Sequence, residues 1–556
     1  ESTTVELDGA NVLDSSGTSG HAGLEKSGAG TLTITDTDGT TDNDGSLTAT
    51  GGNGGAGIGG AVNGNKVGNI VIEGTADVTA TGSEGYYDGA SGIGTGGMSS
   101  GNAEKSSVDS ITIGGDAKVT ATGVGNAASG IGGSYGGEVG AITITGNADV
   151  TAKGKGVGIG AGQSTGRPAD NKDNTTITIN DHAKVDASGS TGIGSGSQRY
   201  GKVNIKLADF AKVKATSTSG AAIGTGINSE SDLNITIGTA GKTSEQEQVE
   251  VDAEWKGYNS RDHVSAAIGG GAQSRWGVLN ILIQGGAVIK QAKTGNYGCG
   301  IGSGDIGNQG VYPLSGSIII KDDAKVKYAH GEKAIGFSKD YKFDQATSEL
   351  KILGNATLED LQGYWDGIGA NKVTIGDGTG KVTIKNLETS SYANGPLIRA
   401  EKELTIASNA DITLTQPTQV RETTFIQAGV DANGNTIYLT KADVEKIIGN
   451  NGTGKITYRI KDKITGKYTL QYIAHGEDGC VWVLDESRSV ASTCTKKGKA
   501  VYVCKLEDGA KNATCHYGDN ETNTKTIELE LAAHTWDDGK VTTAPTCTKE
   551  GVKTYT

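Results

Sequence analysis

The feature that most constrains the fold is a recurring Gly-Ile-Gly. It appears as GAGIGG (55–60), SGIGTGG (91–97), SGIGG (129–133), VGIGAG (157–162), TGIGSG (191–196), AAIGTG (221–226), AAIGGG (266–271), CGIGSG (299–304), AIG (334–336) and DGIGA (366–370). The central isoleucines, from Ile58 to Ile368, are spaced by 28 to 45 residues, mostly near 33. A period of this size is the signature of a solenoid or an array. Gly92-Ile-Gly94-Thr-Gly96-Gly97 also satisfies G-x-G-x-x-G, the pattern that brings backbone N–H groups onto a dinucleotide. Most sister repeats break the second half of that match, and no helix pattern follows. The glycines therefore read as corners of a repeat, not as a nucleotide site.

Two alternating segments travel with each Gly-Ile-Gly. One set is TLTIT (31–35), NIVIE (69–73), SITIG (110–114), AITIT (141–145), TITIN (176–180) and KVNIK (202–206). The other is ADVTATG (76–82), AKVTATG (117–123), ADVTAKG (148–154), AKVDASG (183–189) and AKVKATS (211–217). Alternation of apolar and polar residues with period two marks a half-buried strand. Three short strands per repeat fit one coil of a parallel β-helix. The expected inward positions of one coil are Ile111, Ile113, Ala117, Val119, Ala121 and Ile131. Their counterparts in the next are Ile142, Ile144, Ala148, Val150, Ala152 and Ile159.

Composition agrees with a thin core of Ile, Val and Ala. There are 91 glycines in 556 residues, over twice the usual share, against 4 Phe and 1 Met. With 5 Pro and no Gly-x-y period, collagen is excluded. About ten to eleven coils stacked about 4.8 Å apart give a rod on the order of 50 Å long. The expected fold is all-β: a parallel β-helix over 31–415, an N-terminal cap over 1–30 and small β-rich, cysteine-containing modules at the C-terminal end. Of these, 416–474 reads as a small antiparallel module with one short helix, in which Thr440-Lys-Ala-Asp443 caps Val444, Ile447 and Ile448. Residues 475–556 carry a second repeat, in which TCTKKGKAVYVC (493–504) echoes TCTKEGVKTYT (546–556). The echo stops one residue short of its cysteine, so the chain is expected to be cut within a longer protein.

The Gly-Ile-Gly coils, followed by H-W…TCT-x-x-G-x-x-x-Y-x-C modules, resemble the large repeat-containing surface proteins of Gram-positive gut bacteria. The resemblance implies a secreted, wall-attached protein with an adhesin-like role, anchored through a missing C-terminal region. It implies no catalytic residues.

The formal net charge of −14 disfavours nucleic acid and anionic membranes as partners. No apolar run approaches a membrane span. Four positions in DTDGTTDNDG, Asp36, Asp38, Asp42 and Asp44, can wrap Ca²⁺, although the loop lacks the terminal Glu of an EF-hand and its residues are ordinary turn formers. No other cofactor is expected. Cys480, Cys494, Cys504 and Cys515 are candidates for disulfides in an exported chain. Free thiols and zinc are the rivals, zinc with Cys494, Cys504, Cys515 and His516 as donors but no tight C-x-x-C. Cys299 reads as a small buried residue.

Residues 250–300 break the pattern with the longest repeat and two of the five tryptophans. Trp255, Tyr258, Arg261, His263, Arg275, Trp276 and Tyr297 are the candidate ligand-binding residues, an aromatic platform for sugar rings or a protein. The plainer alternative is that they pad a large loop. Asp116, Asp149, Asp181 and Asp209 recur around the turns as a repeat feature and not as one acid–base cluster. The expected function is therefore non-catalytic adhesion to host glycans or glycoproteins. A polysaccharide lyase or hydrolase and a passive stalk are the rivals.

Overall fold

The computed structural model describes the chain except residues 38–44, 65, 86–88, 99–105, 165–172, 262, 275–276, 306–314, 339–346, 391–394, 418–424, 449–452, 462–467, 476–481, 505–512, 516–523 and 535. The repeat forms a right-to-the-letter stack of parallel strands in three ladders. The first contains Thr31–Asp36, Asn69–Gly74, Ser107–Ile113 and Glu138–Ile144. The second contains Ser46–Thr50, Asp77–Thr81, Lys118–Gly123 and Asp149–Gly154. The third is short and carries Gly-Ile-Gly, as in Ile93–Gly94, Ser129–Gly132 and Val157–Ala161. The chain is an all-β parallel solenoid.

Register follows from burial. Ile111 pairs with Ile142, Ile113 with Ile144, Val119 with Val150, Ala121 with Ala152 and Ile131 with Ile159. All ten are buried, as are Ala117 and Ala148. A one-residue slip of any strand would turn this set to solvent, so each coil is locked on its neighbours. Each fully buried isoleucine is worth about 1.5–3 kcal/mol. Along the first ladder the register is reinforced by amides: Asn234 donates to Asn204 Oδ1 at 3.1 Å and Asn280 donates to Asn234 Oδ1 at 3.0 Å.

The second glycine of the triplet is required twice over in the coils from Gly59 to Gly336. Gly132 has φ of 127°, a region that side chains rarely adopt, and a Cβ there would collide with the Gly160 carbonyl of the next coil. The first glycine meets the other restriction alone, since a Cβ on Gly92 would lie 2.5 Å from Thr122 N.

The first 30 residues carry three short strands. Thr3–Glu6, Ala10–Asp14 and Leu24–Glu25 pair in parallel with Thr31–Asp36, Ser46–Thr50 and Ile58–Gly59. They form a first coil, in which Val5, Leu13 and Leu24 stand in the columns of Ile34, Ala49 and Ile58. With no described coil above it, Leu13 remains 38% exposed.

The other end also departs from the expected boundary at 415. Ile426–Val430 stacks in parallel on Ile398–Ile406, and Lys455–Lys461 on Asp411–Pro417. Antiparallel partners follow, Thr436–Tyr438 beside the first and Tyr468–His475 beside the second, and Ala513–Cys515 pairs in parallel with the latter. The helix Lys441–Ile448 lies between, with Val444 and Ile448 buried in the same core as Ile426 and Ile456. Its start is a reciprocal capping box. Thr440 N donates to Asp443 Oδ2 at 3.0 Å, and Asp443 N donates to Thr440 Oγ1 at 3.3 Å. Beyond the solenoid, Trp482–Leu484, Gly498–Cys504 and Thr524–Leu529 form an antiparallel sheet, and Lys540–Thr543 pairs with Val552–Thr554.

Candidate functional site

The long repeat does not present Trp255 to solvent. The strand Glu250–Trp255 ends with Trp255 in register with Ser217, at a corner that small residues fill in other coils. Its indole is 5% exposed, and Nε1 donates to Ser219 O at 3.2 Å. The following loop closes over it, with Asn259 Oδ1 accepting from Asn296 N at 2.8 Å. Trp255 fills this corner, and an indole of that size needs a longer loop to cover it. Tyr258 is 83% exposed, Arg261 and His263 are exposed, and Tyr297 is half-buried. His263 Nδ1 lies 3.2 Å from Arg261 O. Arg275 and Trp276 lie outside the described residues.

Of the four candidate calcium ligands, Asp38, Asp42 and Asp44 lie outside the described residues. Asp36 is buried at the end of its strand, where Oδ2 accepts from Thr75 Oγ1 at 2.9 Å. Among the described residues no group of three or more His, Cys, Asp or Glu is placed to hold a metal. Cys494 is exposed and Cys504 buried, and no disulfide joins them. The Cys480 and Cys515 side chains lie outside what is described. Burial pushes the Cys299 thiol up to about 12.

What the coils do assemble is a charged groove on the outer face of the second ladder, with a volume of about 320 Å³. Because outward positions stack in register, its walls are columns. Asp149, Lys184, Lys212 and Glu250 form one. Asp186 and Lys214 stand side by side in the next. Ion pairs run between coils: Lys214 to Asp186 at 2.9 Å, Lys290 to Glu250 at 2.6 Å and Lys293 to Glu254 at 3.2 Å. The Asp186 hydrogen bond raises Lys214 above the usual lysine value. Burial works to raise Glu254, but hydrogen bonds from Lys256 and Lys293 outweigh it and hold the carboxyl low. Groups held in their charged forms suit recognition of a charged ligand better than proton transfer, which needs a pKa brought toward neutrality.

The Asp residues at the turns serve the coils. Asp181, at φ of 54°, accepts from Thr145 Oγ1 at 2.5 Å and Gly146 N at 3.0 Å of the preceding coil. Asp209 Oδ2 accepts from Asp181 N in turn, at 3.3 Å.

A buried ionic network in the later coils was not anticipated from sequence. Lys333 Nζ lies 3.2 Å from Glu332 Oε1 and 3.3 Å from Asp366 Oδ2. Arg399 clasps Asp366 through Nε at 2.8 Å and Nη2 at 2.9 Å. Glu332 Oε2 accepts from Ser338 Oγ at 2.6 Å. Lys333 and Asp366 sit two residues before Ile335 and Ile368, the column that holds Cys299 in the preceding coil. Burial opposes both charges, yet Glu332 and Asp366 keep Lys333 above its usual value, while Lys333 and Arg399 keep Asp366 below its own. With both side chains shielded from solvent, this network ties coils together and offers nothing to a ligand.

No helix among the described residues is long and apolar enough to cross a membrane. Comparison of the chain with protein-family models, curated proteins and solved structures gives no match. The class defined by the fold is thus the parallel solenoid, and its function rests on its own residues.

Proposed function

We propose that the chain is a non-catalytic bacterial cell-surface adhesin, extracellular and wall-attached, whose solenoid holds a binding face toward host glycans or glycoproteins. The observation that carries this reading is the groove on the second ladder, supplied by consecutive coils and open to solvent. A stack locked by its core keeps such a face rigid, so little ordering entropy is lost on binding. Its cross-coil ion pairs offer charge and hydrogen bonding at fixed spacing. The binding face therefore shifts from Trp255 to the charged ladder.

The test is a screen of the full chain against immobilised mucins and a mixed glycan array, with product analysis of every hit. Binding with intact ligand supports the adhesin. Shortened glycan products would replace it with a lyase or hydrolase, and silence on all surfaces would leave a stalk.

A further inference from the structure

The groove has one stretch unlike the rest. Lys184 and Lys212 are direct register partners on adjacent strands, with both side chains exposed. Adjacent strands lie about 4.8 Å apart, and like charges directly opposite one another repel. Two neighbouring lysines of the groove are answered by acids, Lys214 by Asp186 and Lys290 by Glu250. Neither Lys184 nor Lys212 has an ion-pair partner among the described residues. Asp149 and Glu250 bound the pair in the same column, so each lysine faces the other lysine on one side and an acid, beyond ion-pair distance, on the other.

Two residues before each lysine stands an aromatic ring. His182 and Phe210 stack with centroids 5.1 Å apart and planes 10° from parallel. Both are exposed, and Phe210 is 38% accessible in a chain with only four phenylalanines. Phe337 and Phe425 are buried, which makes a solvent-facing Phe on an outer turn notable. Both rings stand at the turns that lead into the strands beginning at Lys184 and Lys212.

From this juxtaposition we infer that His182, Lys184, Phe210 and Lys212 form a subsite for a carboxylate-bearing sugar, a uronate or sialate residue of a glycan. The carboxylate sits between the two ammonium groups and relieves their repulsion through charge-assisted hydrogen bonds. The apolar face of the ring lies on the aromatic pair, which supplies contact area with little conformational entropy to lose. The flanking Asp149 and Glu250 repel further anionic groups, so one acidic residue per site is favoured over a continuous polyanion. This inference rests on the adhesin reading and names the ligand class of its groove.

The experiment is calorimetric titration of the full chain with a sialylated trisaccharide and a short oligogalacturonate, with neutral oligosaccharides of matching length alongside. The acidic sugars are expected to bind and the neutral ones to bind at least about tenfold more weakly, a difference of about 1.4 kcal/mol. K184Q/K212Q should lose about tenfold in affinity for the acidic sugars, and F210A should weaken them as well. K118Q, which removes a lysine paired with Asp77 on the same face, should change nothing. Circular dichroism checks that each variant is folded. Equal affinity for acidic and neutral sugars, no binding by the unaltered chain, or unchanged affinity in K184Q/K212Q overturns the subsite. If the variants still bind mucin as the parent does, the subsite falls and the adhesin stands. If the parent binds neither mucin nor acidic sugar, both fall.

Discussion

Lys333 and Asp366 lie 3.3 Å apart on neighbouring coils, each with its side chain 1% exposed. Such a pair is held by mutual attraction against a large desolvation cost, and removing one partner strands the other. Lys333→Met should cost about 3–5 kcal/mol by leaving Glu332 and part of Asp366 uncompensated. Asp366→Asn should cost at least as much, because both Lys333 and Arg399 lose their acceptor charge. Chemical denaturation, with hydrogen exchange resolved to the coils around 330–400, reads the loss and its location. An effect below about 0.5 kcal/mol would mean the pair is not buried as described.

The same pair sets a pH window. Asp366 is held below its usual value, so its contribution is present above an unfolded carboxylate value of about 3.9 and fades as pH falls through the lower folded value. Lys333 is held above its usual value, so its contribution is complete below about 10.4 and fades as pH rises through the higher folded value. Stability of these coils should be flat between those limits and fall outside them. In Lys333→Met the alkaline fall assigned to this group should disappear, as thermal melts across pH would show.

Gly132→Ala should cost more than Gly241→Ala. Both glycines have positive φ, but only at Gly132 does a Cβ meet another coil's carbonyl, while the site at Gly241 has nothing within 4 Å. The exposed site should lose about 1–2 kcal/mol from conformation alone. The ladder site should lose that amount and a steric penalty besides. Equal melting temperatures for the two variants would refute the close approach.

Trp255→Ala should act on stability and Tyr258→Ala should not. The buried indole predicts a loss of about 3–5 kcal/mol. The exposed tyrosine predicts a change within about 0.5 kcal/mol. Denaturation midpoints decide this, and the reverse order would restore Trp255 as a surface anchor.

Thr440→Ala should lose about 0.5–2 kcal/mol, because the hydroxyl that accepts from Asp443 N and donates to Asp443 Oδ2 is gone. Faster amide exchange over Lys441–Ile448 would report it.

The inward columns were legible because two rules act on the same residues: period-two alternation sets the face, and repetition sets the neighbour. Ile111 over Ile142 follows from the letters alone. The end coils were not legible, because Val5, Leu13 and Leu24 stand in the columns without the Gly-Ile-Gly that marks them elsewhere. Trp255 misled because composition cannot tell an indole that fills a corner from one that faces water. The groove was present in the sequence as the outward letters of AKV and ADV segments, but it becomes visible only when successive repeats are laid in register. The Lys333 network had no local signal at all. Its members come from residues 332, 333, 366 and 399, brought together across three successive coils.

The shared columns have an evolutionary consequence. Each coil offers its neighbour the same three footholds, as Val5, Leu13 and Leu24 do for the coil of Ile34, Ala49 and Ile58. A duplicated or deleted repeat therefore needs no new interface, and reach changes in steps of about 4.8 Å while the chemistry of each rung is inherited unchanged. Length is a quantity that recombination can tune without redesign.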